Sequence, residues 1–154
     1  MNLLGLQDGD GVSSGVSYLD LVSLIREYGA SPEEDLLELF KRILFSIAVS
    51  NTDDHLRNHG FLLTTRGWRL SPLYDVNPNP QGRGLSLNIS SYDNSLSFEL
   101  AKDQASYFGL GKEKAQNLVD DLVVLVSVWE TRAKKLGMDK PSIEMIRPAF
   151  SRCG

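Results

Sequence analysis

A chain of 154 residues, 42% hydrophobic and 23% charged, is sized for one folded domain that buries about two-thirds of its unfolded surface. Its formal charge of -4 argues against a nucleic-acid binder with a broad basic face, and its single cysteine, Cys153, leaves no disulfide framework. No apolar run approaches the roughly eighteen residues of a bilayer span, and the N-terminus has neither a cationic head nor a sustained apolar stretch. A cytoplasmic protein is the default expectation.

The opening residues, with Gly5, Gly9, Gly11 and Gly15 beside Asp8 and Asp10, read as a turn-rich lead-in. A helix is expected over residues 17–28. Ser17 serves as its N-cap, Gly29 as its stop, and Leu21, Leu24, Ile25 and Tyr28 as one apolar face. Ser31-Pro32-Glu33-Glu34 signals a second start, with Ser31 capping, Pro32 in the first turn and Glu34 completing a capping box. The helix it opens carries Leu36, Leu39, Phe40, Ile43, Leu44 and Ile47, and becomes apolar on nearly every side towards Val49. That is the pattern of a buried central helix. Residues 61–65 and 68–71 flank Arg66-Gly67 as a short hairpin, and Pro72, Pro78, Pro80, Gly82 and Gly84 then impose an irregular loop. Alternation over residues 85–89 suggests a further strand. Helices are expected over 98–110, with Leu100, Ala101, Tyr107 and Phe108 buried, and over 111–136, with Ala115, Leu118, Leu122, Leu125, Val126 and Trp129 on one face. A last helix begins near Ser142 with Ile143, Ile146 and Phe150. The fold class is mainly α with a small β-hairpin.

The polar chemistry is concentrated between Asn51 and Asp75, where the buried helix gives way to Asn51-Thr-Asp-Asp-His-Leu-Arg-Asn-His-Gly60. Ionisable groups beside a core are costly unless they bind something. Asp53 suits a base that orients and deprotonates a hydroxyl. Asn58 and Asp75 offer the neutral and anionic oxygens that magnesium prefers. Arg57 suits a phosphate or carboxylate partner, Asp54 an exposed loop charge or local cap, and Tyr74 a residue whose packing aims Asp75. His55 and His59 stand at i and i+4, but zinc pairs of that spacing normally sit on a helix, whereas this stretch is rich in turns. The five-residue gap from Asp53 to Asn58 equals that of the protein-kinase catalytic loop, whose second metal carboxylate also follows on a later β-element.

Asn51-Thr-Asp-Asp-His-Leu-Arg-Asn58 followed by Trp68-Arg-Leu-Ser-Pro-Leu-Tyr-Asp75-Val resembles the HipA family of serine/threonine kinases, the toxin half of bacterial toxin–antitoxin pairs. The Ser17-Tyr-Leu-Asp-Leu segment, Phe108-Gly-Leu, Trp129 and Gly137 extend the resemblance over nearly the whole chain. It implies Asp53 as catalytic aspartate, Asn58 and Asp75 as magnesium ligands, and His55 and Arg57 as loop-shaping residues that meet the phosphates of ATP. It also implies a helix-turn-helix antitoxin partner and a translation factor, such as an aminoacyl-tRNA synthetase, as protein substrate.

The departure from the family pattern is the ATP-clamping first half. Gly9-Asp-Gly-Val-Ser-Ser-Gly15 falls short of a GxGxxG fingerprint, and Glu113 after Gly109-Leu-Gly-Lys112 rules out a Walker loop. Residues 1–154 are therefore expected to form a single C-terminal kinase lobe, incomplete alone and needing an N-terminal lobe. Two other readings stand beside it. One is a non-catalytic module that docks an antitoxin or a separate N-terminal lobe. The other is a metal-dependent phosphohydrolase built on Asp53, His55, His59 and Asp75.

Overall fold

The computed structural model describes residues 11–153. The expected lead-in therefore lies largely outside the described residues; its end, Val12–Ser14, is a single 3-10 turn. Helix α1 spans Tyr18–Tyr28. Its start is a capping box, in which the Ser17 hydroxyl accepts from the Leu19 N–H at 3.2 Å and the Asp20 carboxylate accepts from the Ser17 N–H at 2.8 Å. Leu21, Leu24 and Ile25 are buried as expected, together with Tyr18 and Val22, whereas Tyr28 is exposed.

Helix α2, Pro32–Ala48, is the central helix, and Leu39, Phe40 and Ile47 have no exposed surface. Its N-terminus differs from the expected capping box, because Ser31 makes no side-chain cap bond. Arg69 takes Glu34 instead, at 2.8 Å, while the neighbouring Asp35 accepts from Arg69 Nε and from the Leu70 N–H, each at 3.1 Å. The acidic first turn is thus used to hold a hairpin against the helix.

That hairpin pairs β1, Phe61–Thr64, with β2, Gly67–Leu70, in antiparallel register from Phe61↔Leu70 to Thr64↔Gly67. Gly67 has φ 131°, and a Cβ there would fall 2.8 Å from the Tyr28 carbonyl, so only glycine lets the turn approach α1. The segment 85–89 is not a ladder strand. Leu85, Leu87 and Ile89 are buried, but so is Asn88, which bridges Ser17 through backbone bonds with Val16 and Tyr18.

The remaining chain is helical but more broken than its periodicity suggests. Helix α3 spans Phe98–Asp103 and passes into a 3-10 turn, Ala105–Phe108, which leaves Tyr107 exposed and Phe108 buried. Helix α4, Lys112–Ser127, stops where one long helix was expected, and α5, Trp129–Lys135, starts afresh. The β-branched Val123, Val124, Val126 and Val128 weaken that turn. The Ser127 hydroxyl also donates to the Val124 carbonyl at 2.9 Å and competes with the helix ladder. Leu125 is exposed rather than buried. Helix α6, Lys140–Ile146, is capped by Asp139, whose carboxylate accepts from the Ser142 N–H at 3.0 Å.

Two apolar clusters meet on α2. The larger joins α1, α2, residues 85–89, α3 and α4; the smaller packs Ala149, Phe150 and Cys153 against Ala48 and Val49, with Trp129 stacked on Phe150 at 4.2 Å. The smaller cluster is sealed by Arg152, which donates to the Leu96 carbonyl at 3.0 Å and to the Ser50 hydroxyl at 2.8 Å. Arg152→Ala is expected to destabilise the fold by about 1.5–3 kcal/mol, the range for charge-assisted hydrogen bonds, read as a lower denaturant midpoint. An unchanged midpoint would remove Arg152 from the account.

Candidate active site

Helix α2 ends by handing the chain to a loop that is heavily bonded from behind. Ser50 adopts φ 52°, a left-handed conformation that a non-glycine residue holds only when its surroundings fix it. Its hydroxyl donates to the Ala149 carbonyl at 2.7 Å and accepts from Arg152. Asn51 is buried, with its N–H on the Ser46 carbonyl at 2.8 Å and its side-chain amide nitrogen 3.3 Å from the Ser46 hydroxyl. Thr52 anchors the proline- and glycine-rich loop. Asn79 donates to its hydroxyl and Ser86 to its carbonyl, each at 2.8 Å, and a Cβ on Gly82 would lie 2.3 Å from its methyl group.

Residues 53–59 then turn back on themselves. The Asp53 side chain is exposed, while its carbonyl accepts from the His55 N–H at 3.0 Å and from the Asn58 side-chain amide at 3.1 Å. A 3-10 turn over Leu56–Asn58 closes with the Asn58 N–H on the His55 carbonyl at 2.9 Å. Asn58 is buried, and because its nitrogen points to Asp53, its carbonyl oxygen is the atom turned to other partners. His55 Nε2 and an Arg57 guanidinium nitrogen lie 3.2 Å apart, so these two expected loop-shaping residues touch each other on the surface side.

Asp54 is not the exposed charge that its loop position suggests. It is 2% exposed, with Oδ2 accepting from the Tyr18 hydroxyl at 2.6 Å and from Ser46 at 3.2 Å, and Oδ1 lying 3.0 Å from His59 Nε2. The His59 contact has ion-pair distance without the alignment of a hydrogen bond. Burial raises the Asp54 pKa, but His59, Tyr18 and Ser46 outweigh it and hold the carboxyl below the usual range. The same carboxylate, after burial itself, raises the Tyr18 phenol well above its usual range. His59 is therefore committed to Asp54, and among the described residues no three of His, Cys, Asp and Glu converge as a metal-binding group. This arrangement speaks against the zinc reading of His55 and His59.

The Asp75 segment returns to this loop at two points. Tyr74, itself exposed, donates its hydroxyl to the Arg57 carbonyl, and the Asn77 N–H donates to Asn51 Oδ1 at 3.1 Å. Between those ties Asp75 takes φ 55°, and its exposed carboxylate accepts from the Asn77 amide at 2.9 Å. Gly60 allows the close approach, since a Cβ there would stand 3.1 Å from Ser71 Oγ and 3.3 Å from the Tyr74 hydroxyl. Asp53, Asn58 and Asp75 thus belong to two segments stitched side by side, with His55 and Arg57 on the same loop. Asn51, Asp54 and His59 do the stitching and bracing.

The HipA-like C-terminal domain family matches residues 1–129. A putative kinase, Y4mE, of Sinorhizobium fredii is 34% identical over 62 residues, which cover 40% of this chain and 15% of that protein. The HipA chain of a Shewanella oneidensis MR-1 toxin–antitoxin complex with HipB and operator DNA aligns at a TM-score of 0.69 and 19% identity, covering 97% of this chain and 36% of its own length. That likeness establishes the fold, mainly helical with an antiparallel hairpin, and the chain spans little more than a third of the solved HipA. On the family match, the chain belongs to the HipA-like C-terminal domain family.

Proposed function

We propose that this chain is the catalytic lobe of a HipA-like protein kinase, which transfers the γ-phosphoryl group of ATP to a protein serine or threonine once a nucleotide-clamping lobe is supplied. The observation that carries this reading is the double tie of the Asp75 segment to the Asp53–Asn58 loop, through Tyr74 to Arg57 and through Asn77 to Asn51. In it the exposed Asp53 carboxylate orients the attacking hydroxyl and takes its proton. The Asn58 amide oxygen and the Asp75 carboxylate are hard oxygen donors, a set that fits magnesium with phosphate oxygens and water completing its shell. Bound magnesium would neutralise charge on the transferred phosphate. Arg57 and His55, held against one another at the surface, stand as phosphate partners.

The complex of the similar HipA with HipB and DNA supports an antitoxin as partner for this chain. An aminoacyl-tRNA synthetase as substrate rests on family resemblance. Asp75→Asn tests the metal assignment. With ATP present, calorimetry should show magnesium affinity reduced by at least about tenfold in the protein supplied with its clamping lobe. Equal affinity in the two proteins would favour a non-catalytic docking module.

A further inference from the structure

Asp54 and His59 form a buried pair that the proposed chemistry does not use. Asp54 is 2% and His59 4% exposed, and the carboxylate gathers Tyr18 from the first turn of α1, Ser46 from the last turns of α2 and His59 from the far end of the loop. The Tyr18 and His59 rings also meet edge to face, with centroids 5.7 Å apart. As a source of stability this is a poor arrangement. Burying a carboxylate costs desolvation that its polar partners must offset, and well-packed apolar residues in place of such a buried polar group are often neutral or better. What apolar packing cannot supply is direction. A carboxylate hydrogen-bonded to Tyr18 and Ser46, with His59 against its other oxygen, sets where the chain on either side of it must run.

The neighbours in sequence give that direction a purpose. Asp53 immediately precedes Asp54, and Asn58 immediately precedes His59, so each clamp residue is one Cα step of 3.8 Å from a proposed functional residue. The loop is therefore closed twice. Inside, the Asn58 amide donates to the Asp53 carbonyl at 3.1 Å; outside, Asp54 meets His59 at 3.0 Å and is tied to two helices.

We infer that Asp54 and His59 are positioning residues, a buried clamp braced by Tyr18 and Ser46 that fixes the spacing of Asp53 and Asn58. This rests on the kinase reading for its catalytic consequence, but its structural consequence stands apart from it. Active-site groups displaced by about 1 Å lose about a hundredfold in rate. A clamp that slackens should therefore lower kcat with little change in the KM for ATP.

The test uses Asp54→Asn, Tyr18→Phe and, as control, Asp53→Ala. Amide hydrogen exchange on the chain reads the loop directly. In Asp54→Asn, exchange at His55, Asn58 and His59 should speed by about tenfold or more, while Ile43 and Leu44 in α2 keep wild-type protection. Tyr18→Phe, which keeps the ring and loses only the hydroxyl, should give a smaller change at the same amides, and it carries the test if Asp54→Asn does not fold. Asp53→Ala should leave them unchanged. Loop amides at wild-type rates in both clamp variants, or acceleration spread equally over α2, would overturn the clamp. In the complemented kinase, Asp54→Asn should lose about ten- to a hundredfold in kcat with the KM for ATP within about twofold. Loss of activity explained wholly by a lower folded fraction would also overturn it. Failure of the kinase reading appears elsewhere, as an Asp53→Ala protein of undiminished activity with the exchange response of the clamp variants intact.

Discussion

Asp53→Ala is expected to lower phosphoryl transfer by about 10²–10⁴-fold, the usual contribution of a positioned general base, without lowering the thermal midpoint. The separation of these two effects follows from how Asp53 is built into its loop. Its backbone carbonyl does the structural work, accepting from the His55 N–H and from the Asn58 amide, while its side chain is exposed. Alanine keeps the carbonyl and removes only the carboxylate, so the turn that presents Asn58 should persist. The measurement is transfer of labelled phosphate from ATP by the protein supplied with its clamping lobe, alongside thermal unfolding of the chain. Retained transfer would remove Asp53 from the chemistry. A large fall in the midpoint would mean that the side chain has a structural duty the geometry does not give it.

Phe40→Ala is expected to be the most destabilising of the core truncations, costing about 3–5 kcal/mol. Phe40 is wholly buried in the middle of α2 and packs against Phe108, with ring centroids 5.2 Å apart and planes inclined by 57°. It thus links the helix that ends at the site to the turn after α3. For a domain of this size, stability totals roughly 5–15 kcal/mol, so such a loss takes about a fifth of it or more. The thermal midpoint should fall by about 10 °C. A fall of a degree or two would show that the core around α2 collapses to fill the gap.

The parts of this fold that local rules control were legible in the sequence. The caps at Ser17 and Gly29, the Arg66-Gly67 hairpin and the apolar run of α2 are set by residues within a turn or two of one another. The capping box read at Ser31 failed because Arg69, far along the chain, takes Glu34, and no local pattern carries that competition. The break at Val128 was hidden for a different reason. Helical periodicity persists through a β-branched run even where the backbone breaks, here beside a Ser127 hydroxyl that bonds back to the Val124 carbonyl. At the site, residue types and spacing singled out Asp53, Asn58 and Asp75 as candidates, and the structure ties the two segments that carry them together. Asp54 was misjudged because its burial depends on Tyr18 and Ser46, 36 and 8 residues away in the chain, and a charge in a polar loop looks solvated until those partners are placed.

On the proposed chemistry, Asn58 and Asp75 would hold a divalent cation beside Asp53. Paramagnetic manganese, added with ATP to the isotopically labelled chain, would locate that cation by broadening the nearest resonances even where binding is weak. The signals of Asn58 and Asp75 are expected to be lost first, with Asp53 next, and Asp75→Asn should abolish the selectivity. Broadening that centres on other acidic residues, or that leaves Asn58 and Asp75 sharp while the rest fade, would contradict it.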